Sequence, residues 1–334
     1  FSKNNPRNFR LMTYNVWSNG LINNSRVDKH RKILTSVNPD IVTYQECGNT
    51  SYNDVLNFLN TVPISYPYIF PDMISGNLTI SKYPSLQSWQ VADRIDAELI
   101  DLPDSIYSTD ILILNGHPPC CSNNQGRQEN FDALIQFIHD AKSVGGVIDL
   151  PINTPISFSG DMNLVGYSEQ YYTILNGTIS DTITFGSGGF PDWNNTSLKD
   201  QICYFNEQNI AYTWDKSNPS VGDFPPGRLD FIFFTNSVMS SDKSFIISTE
   251  HMSPSLLLQN NLIWNDTKEA SDHFPVVVDF VLPMINPLGF EGSKFNKKQI
   301  QIKDFLGREV KKSANIPLFY IYDDGTVEKK IIIE

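Results

Sequence analysis

Ser271-Asp272-His273-Phe274-Pro275, continued by Val276-Val277-Val278, sets a carboxylate and an imidazole at the mouth of a β-branched run. Such a run reads as a strand, so Asp272 and His273 stand side by side at one sheet edge. A carboxylate is a ligand for hard cations and an imidazole titrates near neutrality. The pair is therefore a candidate metal ligand beside a candidate general base. A polar turn ahead of a buried strand accounts for the same residues and, taken alone, is the commoner arrangement. What shifts the weighing is that four other strand ends also finish on a carboxylate, an amide or a histidine.

Working outward, Phe9 to Trp17 reads as a strand with Asn15 near its end, although Ser18-Asn19-Gly20 also makes Asn15 a natural turn amide. Arg26 to Val37 is a helix with Val27, His30, Leu34 and Val37 on one stripe, stopped by Asn38-Pro39. Asp40 to Glu46 is a short strand closing on Glu46. Strand, helix and strand in this order suggest a layered α/β unit that brings Asn15 close to Glu46. Tyr52 to Leu59 reads as a helix and Asn77 to Ser81 as a strand; residues 82–108 are weakly patterned and receive no role. Asp110 to Asn115 is a buried strand that runs into Gly116-His117, where a loop or capping histidine is the blander reading. Arg127 to Lys142 is an amphipathic helix. Pro155 to Ser159 is a strand leading to Gly160-Asp161-Met162-Asn163; glycine permits a sharp turn, and Asp161 and Asn163 can face one cleft. Residues 176–226 read as long loops, the usual place for substrate selection. Trp193, Tyr204, Tyr212 and Trp214 in them can stack on a ring or anchor a loop, the second being the commoner use. Asp230 precedes Phe231-Ile232-Phe233-Phe234, placed to end a strand or to hold the second ring nitrogen of His273.

The bulk composition sets bounds. The chain has 334 residues, enough for one large domain with an appendage, with 40% hydrophobic and 12% aromatic residues, an ordinary globular make-up. A net charge of −12 argues against a basic phosphate-tracking surface, but a carboxylate site filled with divalent cations presents positive charge locally. No segment approaches the ~20 apolar residues that cross a bilayer, so no stable membrane insertion is expected. The chain starts at Phe1, so removal of an N-terminal segment is expected. Cys47, Cys120, Cys121 and Cys203 lack Cys-x-x-Cys spacing and make a poor tetrahedral zinc set. In an oxidising compartment Cys120 or Cys121 can pair with Cys47 or Cys203, and the sequence does not choose among these.

Thr13-Tyr14-Asn15-Val16, Asp40-Ile41-Val42 with Gln45-Glu46, Asn115-Gly116-His117, Gly160-Asp161-Met162-Asn163, Arg228-Leu229-Asp230-Phe231 and Ser271-Asp272-His273-Phe274-Pro275 resemble, in order and context, the endonuclease/exonuclease/phosphatase superfamily over residues 9–281. The resemblance implies an α+β fold, a four-layered sandwich of two packed mixed sheets flanked by helices. It implies that Glu46 is the main Mg²⁺ ligand, with Mn²⁺ or Ca²⁺ as alternatives, and that Asn15 and Asp272 help at the metal. Asp161 and Asn163 would position the attacking water and hold the scissile phosphate. His273, oriented by Asp230, would be general base or phosphate-stabilising group, and His117 a phosphate-binding or leaving-group histidine. Arg127 would contact either the phosphate or the His117 loop. Losing Glu46 or His273 is expected to cost turnover rather than folding.

Beyond residue 281 the character changes. The reading is a catalytic domain over 1–281, a linker over 282–298 and a small β segment over 299–334, with strands about the Asp-Gly of 324–325. Leu306-Gly307-Arg308-Glu309-Val310, Tyr322-Asp323-Asp324-Gly325-Thr326-Val327 and the aliphatic ending resemble the C-terminal sorting domain of the type IX secretion system of Bacteroidetes. An extra hairpin of the catalytic domain is the alternative. The expected protein is a secreted or cell-surface monomer that engages the secretion machinery through this tail. It is expected to be a phosphodiesterase on DNA or RNA; the alternative is a phosphomonoesterase, sphingomyelinase or inositol-phosphate phosphatase, and a non-catalytic binder has no use for Glu46, Asp161, Asp230 and His273 together.

Overall fold

The computed structural model describes residues 1–72, 74–216, 224–284, 299–304, 307–313, 315–322 and 327–331. The chain divides into two units, Phe1–Ile285 and Asn286–Glu334. In the first unit the strands are β1 Phe9–Asn15, β2 Ile41–Gln45, β3 Tyr68–Asp72, β4 Asn77–Ser81, β5 Ser85–Ala92, β6 Ile95–Ile100, β7 Ile111–Gly116, β8 Ile156–Asp161, β9 Lys199–Asp200, β10 Asp230–Phe234, β11 Ser240–Ile246 and β12 Val276–Val281. The helices are α1 Val27–Val37, α2 Tyr52–Leu59, α3 Asn124–Ala141, α4 Ser168–Asn176, α5 Thr182–Phe185, α6 Pro254–Gln259 and α7 Asp266–Ala270.

Among the described residues these strands form two six-stranded sheets, ordered β11-β12-β1-β2-β4-β3 and β5-β6-β7-β8-β10-β9. Both are mixed: β1 runs parallel to β2, β7 runs parallel to β8, and the other pairings are antiparallel. The expected sandwich is therefore observed. Because side chains alternate across a strand, each sheet splits its residues between two layers. On β1, Met12 and Tyr14 face outward into a cluster with Ile33 and Leu34 of α1 and Phe58 of α2. Phe9 and Leu11 face inward, where they join Ile113 of β7 and Ile232 and Phe234 of β10. On the far side, Leu112, Leu114 and Phe158 pack under Phe131 and Leu134 of α3 and Ile174 of α4.

The same alternation places the site. Followed toward the C-terminal ends of β1, β2, β7 and β8, the inward positions turn from Leu11, Ile41 and Ile113 to Thr43, Gln45, Asn115, Ser159 and Asp161, all buried. A buried polar group is costly unless it is bonded, and these groups bond across the sandwich. Thr43 Oγ1 meets Ser159 Oγ at 2.9 Å, and Gln45 Nε2 donates to Asn115 Oδ1 at 2.8 Å. The inter-sheet layer is thus greasy at one end and hydrogen-bonded at the other. Close approach at that polar end depends on Gly160, which pairs with Gly116 in the β7–β8 register. Its φ is +145°, and a Cβ there would come within 1.9 Å of Gly116 O. Glycine alone fits.

Several expectations need correction here. Residues 82–108, given no role from the sequence, supply β5 and β6, and residues 68–72 form β3. Leu282 is buried in the inter-sheet core and Met284 bridges to Tyr107, so these residues belong to the catalytic unit and not to a linker. No cysteine pairs across the fold. Cys120 bonds its neighbour Cys121, while Cys47 and Cys203 are free and buried in separate core clusters. Among the described residues no helix is long and apolar enough to cross a membrane.

The second unit contains β13 Gln299–Lys303, β14 Pro317–Tyr322 and β15 Val327–Ile331 in an antiparallel sheet of that order. Ile302, Leu318 and Tyr320 form its small core with Val310. The Asp-Gly turn expected at 324–325 lies outside the described residues.

Candidate active site

The eight residues singled out from sequence come together at the polar end of the sandwich. Glu46, His117, Asp161, Asn163, Asp272 and His273 line one cleft of about 780 Å³; Asn15 and Asp230 lie buried beneath it. Asp161 and Asp230 are cross-strand partners on β8 and β10, and His273 enters from the loop before β12. That loop is stitched down: Ser271 Oγ donates to Asn15 O at 2.8 Å, His273 N–H donates to Ser271 Oγ at 3.1 Å, and Phe274 N–H donates to Thr213 O at 2.8 Å.

His273 Nδ1 lies 2.8 Å from Asp230 Oδ2, the orienting contact expected from sequence. Its Nε2 is 3.6 Å from Asp161 Oδ2, and His117 Nε2 stands at the same 3.6 Å from that oxygen. Asp161 therefore lies between two imidazoles, beyond direct hydrogen-bond reach of either. The two rings differ in charge. Burial opposes charge on His273, but the carboxylates of Asp230 and then Asp161 outweigh it and raise the imidazole to about 10. For His117 burial wins over Asp161 and Glu46, and its pKa is lowered, leaving a neutral ring.

Glu46 sits just past β2 with φ at +62°, a left-handed backbone unusual for this residue type and characteristic of functional sites. Its carboxylate accepts from Asn15 Nδ2 at 3.1 Å and from Ser18 N–H at 2.5 Å. Asn15 Nδ2 also donates to Asp161 Oδ2 at 3.0 Å. The amide cannot be turned over freely, because Asn15 Oδ1 accepts from Trp17 N–H at 2.9 Å. Asn15, expected at or near the metal, thus turns its nitrogen and not its oxygen to the carboxylates and ties Glu46 to Asp161. Asn163, also at positive φ (+49°), gives its side-chain amide to Pro118 O at 3.1 Å and its N–H to Asp161 Oδ1 at 3.0 Å, so it fixes the His117 loop and Asp161 together.

Among the described residues no three His, Cys, Asp or Glu side chains form a ready ligand cluster. The cleft still fits a hard cation. Asp272 Oδ2 accepts from Trp214 Nε1 at 3.1 Å while Oδ1 is buried without a hydrogen-bond partner, an orphaned carboxylate oxygen on a residue that lines the same cleft as Glu46. One or two carboxylates, with water and substrate phosphate completing the shell, is how Mg²⁺ is commonly held.

Sequence reading missed two supporting groups, Arg26 and Trp17. Arg26 spends its guanidinium on Val16 O, Trp17 O, Ser18 O and Ala270 O, which pins the loop that presents Ser18 N–H to Glu46. Trp17 lines the cleft and is half exposed, with Arg26 over its ring at 4.8 Å. Trp214 holds Asp272, whereas Trp193 is a loop anchor bonded to Thr154 O and Tyr212 packs on Phe205 and Phe274. Of the two roles open to Arg127 the loop contact is the observed one: it is fully buried and bonds Pro119 O at 2.5 Å, Gln170 Oε1 at 2.7 Å and Asn124 Oδ1.

The profile of the Endonuclease/Exonuclease/phosphatase family matches residues 12–273. No curated protein matches by sequence. Among solved structures, the endonuclease/exonuclease/phosphatase from Bacteroides vulgatus superposes with a TM-score of 0.53 at 17% identity, covering 82% of this chain and 99% of that one. TDP2 from D. rerio, complexed with single-strand DNA product, gives 0.51 at 17% identity over 82% and 98%. Beta toxin from Staphylococcus aureus gives 0.51 at 15% identity over 81% and 99%. At such identities the superpositions speak for the fold, and the profile match speaks for descent. The chain belongs to the endonuclease/exonuclease/phosphatase family, whose members are metal-dependent phosphoric ester hydrolases.

Proposed function

We propose that the protein is a divalent-metal-dependent phosphodiesterase that cleaves nucleic acid outside the cell. The observation that carries the chemistry is Asp161 standing between two imidazoles, 3.6 Å from each, within one cleft with Glu46 and Asp272. Glu46 and Asp272 would hold the ion, Mg²⁺ or in its place Mn²⁺ or Ca²⁺. When bound, such an ion neutralises phosphoryl charge and makes water a better nucleophile. Asp161, with two oxygens fixed by Asn15 and Asn163, is placed to accept the proton of the attacking water. His273, kept charged by Asp230 and Asp161, offers its Nε2–H to a phosphoryl oxygen. His117, being neutral, hydrogen-bonds the departing oxygen without repelling the cation.

A half-exposed Trp17 on the rim, able to stack on a base, favours a nucleic-acid substrate, as does the single-strand DNA product held by the zebrafish relative of the same fold. The test is a Mg²⁺, Mn²⁺ and Ca²⁺ panel against plasmid DNA, RNA, sphingomyelin, inositol phosphates and bis-p-nitrophenyl phosphate. DNA or RNA should be cut and bis-p-nitrophenyl phosphate turned over, with EDTA abolishing both. Turnover of sphingomyelin or inositol phosphates without cutting of either nucleic acid would replace the substrate assignment, and activity surviving EDTA would remove the metal.

Export rests on the second unit, which we assign as a secretion sorting domain. Support comes from its own three-stranded sheet and small core, separate from the catalytic unit. Deleting residues 286–334 should retain hydrolysis by the purified protein and stop its export from a host with a type IX apparatus; continued export of the truncated chain would refute the assignment.

A further inference from the structure

Residues 82–108 carry no motif, yet they put a cation into the cleft. Arg94 lies between β5 and β6, and its backbone is fixed from three directions. Its N–H donates to Asn130 Oδ1 at 3.1 Å, and its carbonyl accepts from Asn77 Nδ2 at 3.2 Å and from His117 N–H at 2.9 Å. The guanidinium, in contrast, makes no hydrogen bond or ion pair among the described residues and is only partly exposed. The other arginine of the cleft lining, Arg228, is spent on an ion pair with Asp200. In a chain of net charge −12 an uncommitted guanidinium at the catalytic cleft is poised for an anion.

Its location says which anion. Arg94, Glu46 and His117 line the main cleft and also a second groove of about 280 Å³ walled by Ser18, Asn19 and Ser75. Glu46 and His117 thus stand at the junction of two depressions, and Arg94 stands there with them on the β5–β6 side. A substrate with a single phosphate needs only the cleft that holds Asp161 and His273. A chain of phosphodiesters crossing the junction brings a further phosphate along the second groove. We propose that Arg94 binds this non-scissile phosphate and so makes the site selective for a polynucleotide strand over small diesters. The inference rests on the nucleic-acid reading given above. A guanidinium fork suits a phosphate because two parallel N–H donors match two oxygens.

The test compares wild type, Arg94→Gln and Arg94→Lys on a single-stranded oligonucleotide and on bis-p-nitrophenyl phosphate, with the same divalent ion. For Arg94→Gln, KM for the oligonucleotide should rise roughly 10- to 100-fold more than KM for the small diester. The slope of log affinity against log salt for the oligonucleotide should fall by about 0.7, the value for one lost phosphate contact on a single strand. Arg94→Lys should recover most of the salt slope, since charge returns, but only part of the affinity, since the fork does not. Equal losses on both substrates, or an unchanged salt slope, would overturn the proposal and leave the hydrolase reading standing. Wild-type turnover of the small diester with no cutting of the oligonucleotide would remove the nucleic-acid reading and this inference together.

Discussion

His273→Asn should fold like wild type and lower kcat by about 10²–10⁴-fold, the usual worth of one positioned proton-transfer group. Asparagine is the informative substitution because its Nδ2 can reproduce the Nδ1–H donated to Asp230 while removing Nε2, the atom that faces Asp161 and the phosphate. Alanine is the poorer choice. His273 and Asp230 are buried at 4% and 1% exposure, and removing the imidazole leaves a buried carboxylate without its partner. We expect His273→Ala to lose roughly 1–3 kcal/mol of stability in addition to its activity, and His273→Asn to lose activity alone. The pH profile separates the roles. Asp230 and Asp161 raise His273 to about 10 against the opposing effect of burial, and a cation held at Glu46 and Asp272 pulls it back toward the ordinary value of about 6.5. Because the charged form is the useful one, turnover should persist through neutrality and fall as pH rises through a limb between those two values. That limb should vanish in His273→Asn. A variant with near wild-type turnover, or one that keeps the alkaline limb, removes His273 from the chemistry.

What the sequence made legible is the set of polar strand ends, because chemistry restricts residue type there. Asn15, Glu46, His117, Asp161, Asn163, Asp230, Asp272 and His273 all reached one end of the sandwich. Roles were less legible than places. Whether Asn15 offers oxygen or nitrogen is decided by Trp17 N–H, a backbone contact that no pattern reports. β5 was hidden because none of its residues is buried and its side chains need not be apolar. β6 was hidden for the opposite reason: its buried positions include acids. Asp96 is pushed up to about 7, chiefly by burial, and accepts from Ser75 Oγ and Asn77 Nδ2, while burial raises Glu98 well above the usual carboxylate range. An amphipathic search treats such residues as surface. Arg94 escaped for want of any motif, since its value lies in what surrounds it in space. A bridge from Cys120 or Cys121 to Cys47 or Cys203 does not form, because the first two bond each other and the other two are buried in different core clusters.

Glu46→Gln should abolish nearly all turnover, by about 10³-fold or more, because several kcal/mol of metal-derived charge stabilisation depends on this carboxylate. The half-saturating concentration of Mg²⁺ should rise as well, since Asp272 is left as the remaining carboxylate of the pair. Folding should change little. Ser18 N–H, which donates to Glu46 Oε2, lies at an exposed position where water can take over, and Asn15 Nδ2 retains Asp161 when its contact to residue 46 weakens. The left-handed φ of +62° is imposed on either side chain alike, so the substitution neither adds nor removes backbone strain. Loss of turnover at constant stability is what separates a metal-holding residue from a packing residue, and the metal titration separates it further from a phosphate-binding one. Glu46 would lose its place as the principal ligand if Glu46→Gln kept the wild-type Mg²⁺ dependence at reduced kcat. The ion would then have to rest on Asp272 and its unpartnered Oδ1, with Glu46 serving through Asn15 to set the position of Asp161.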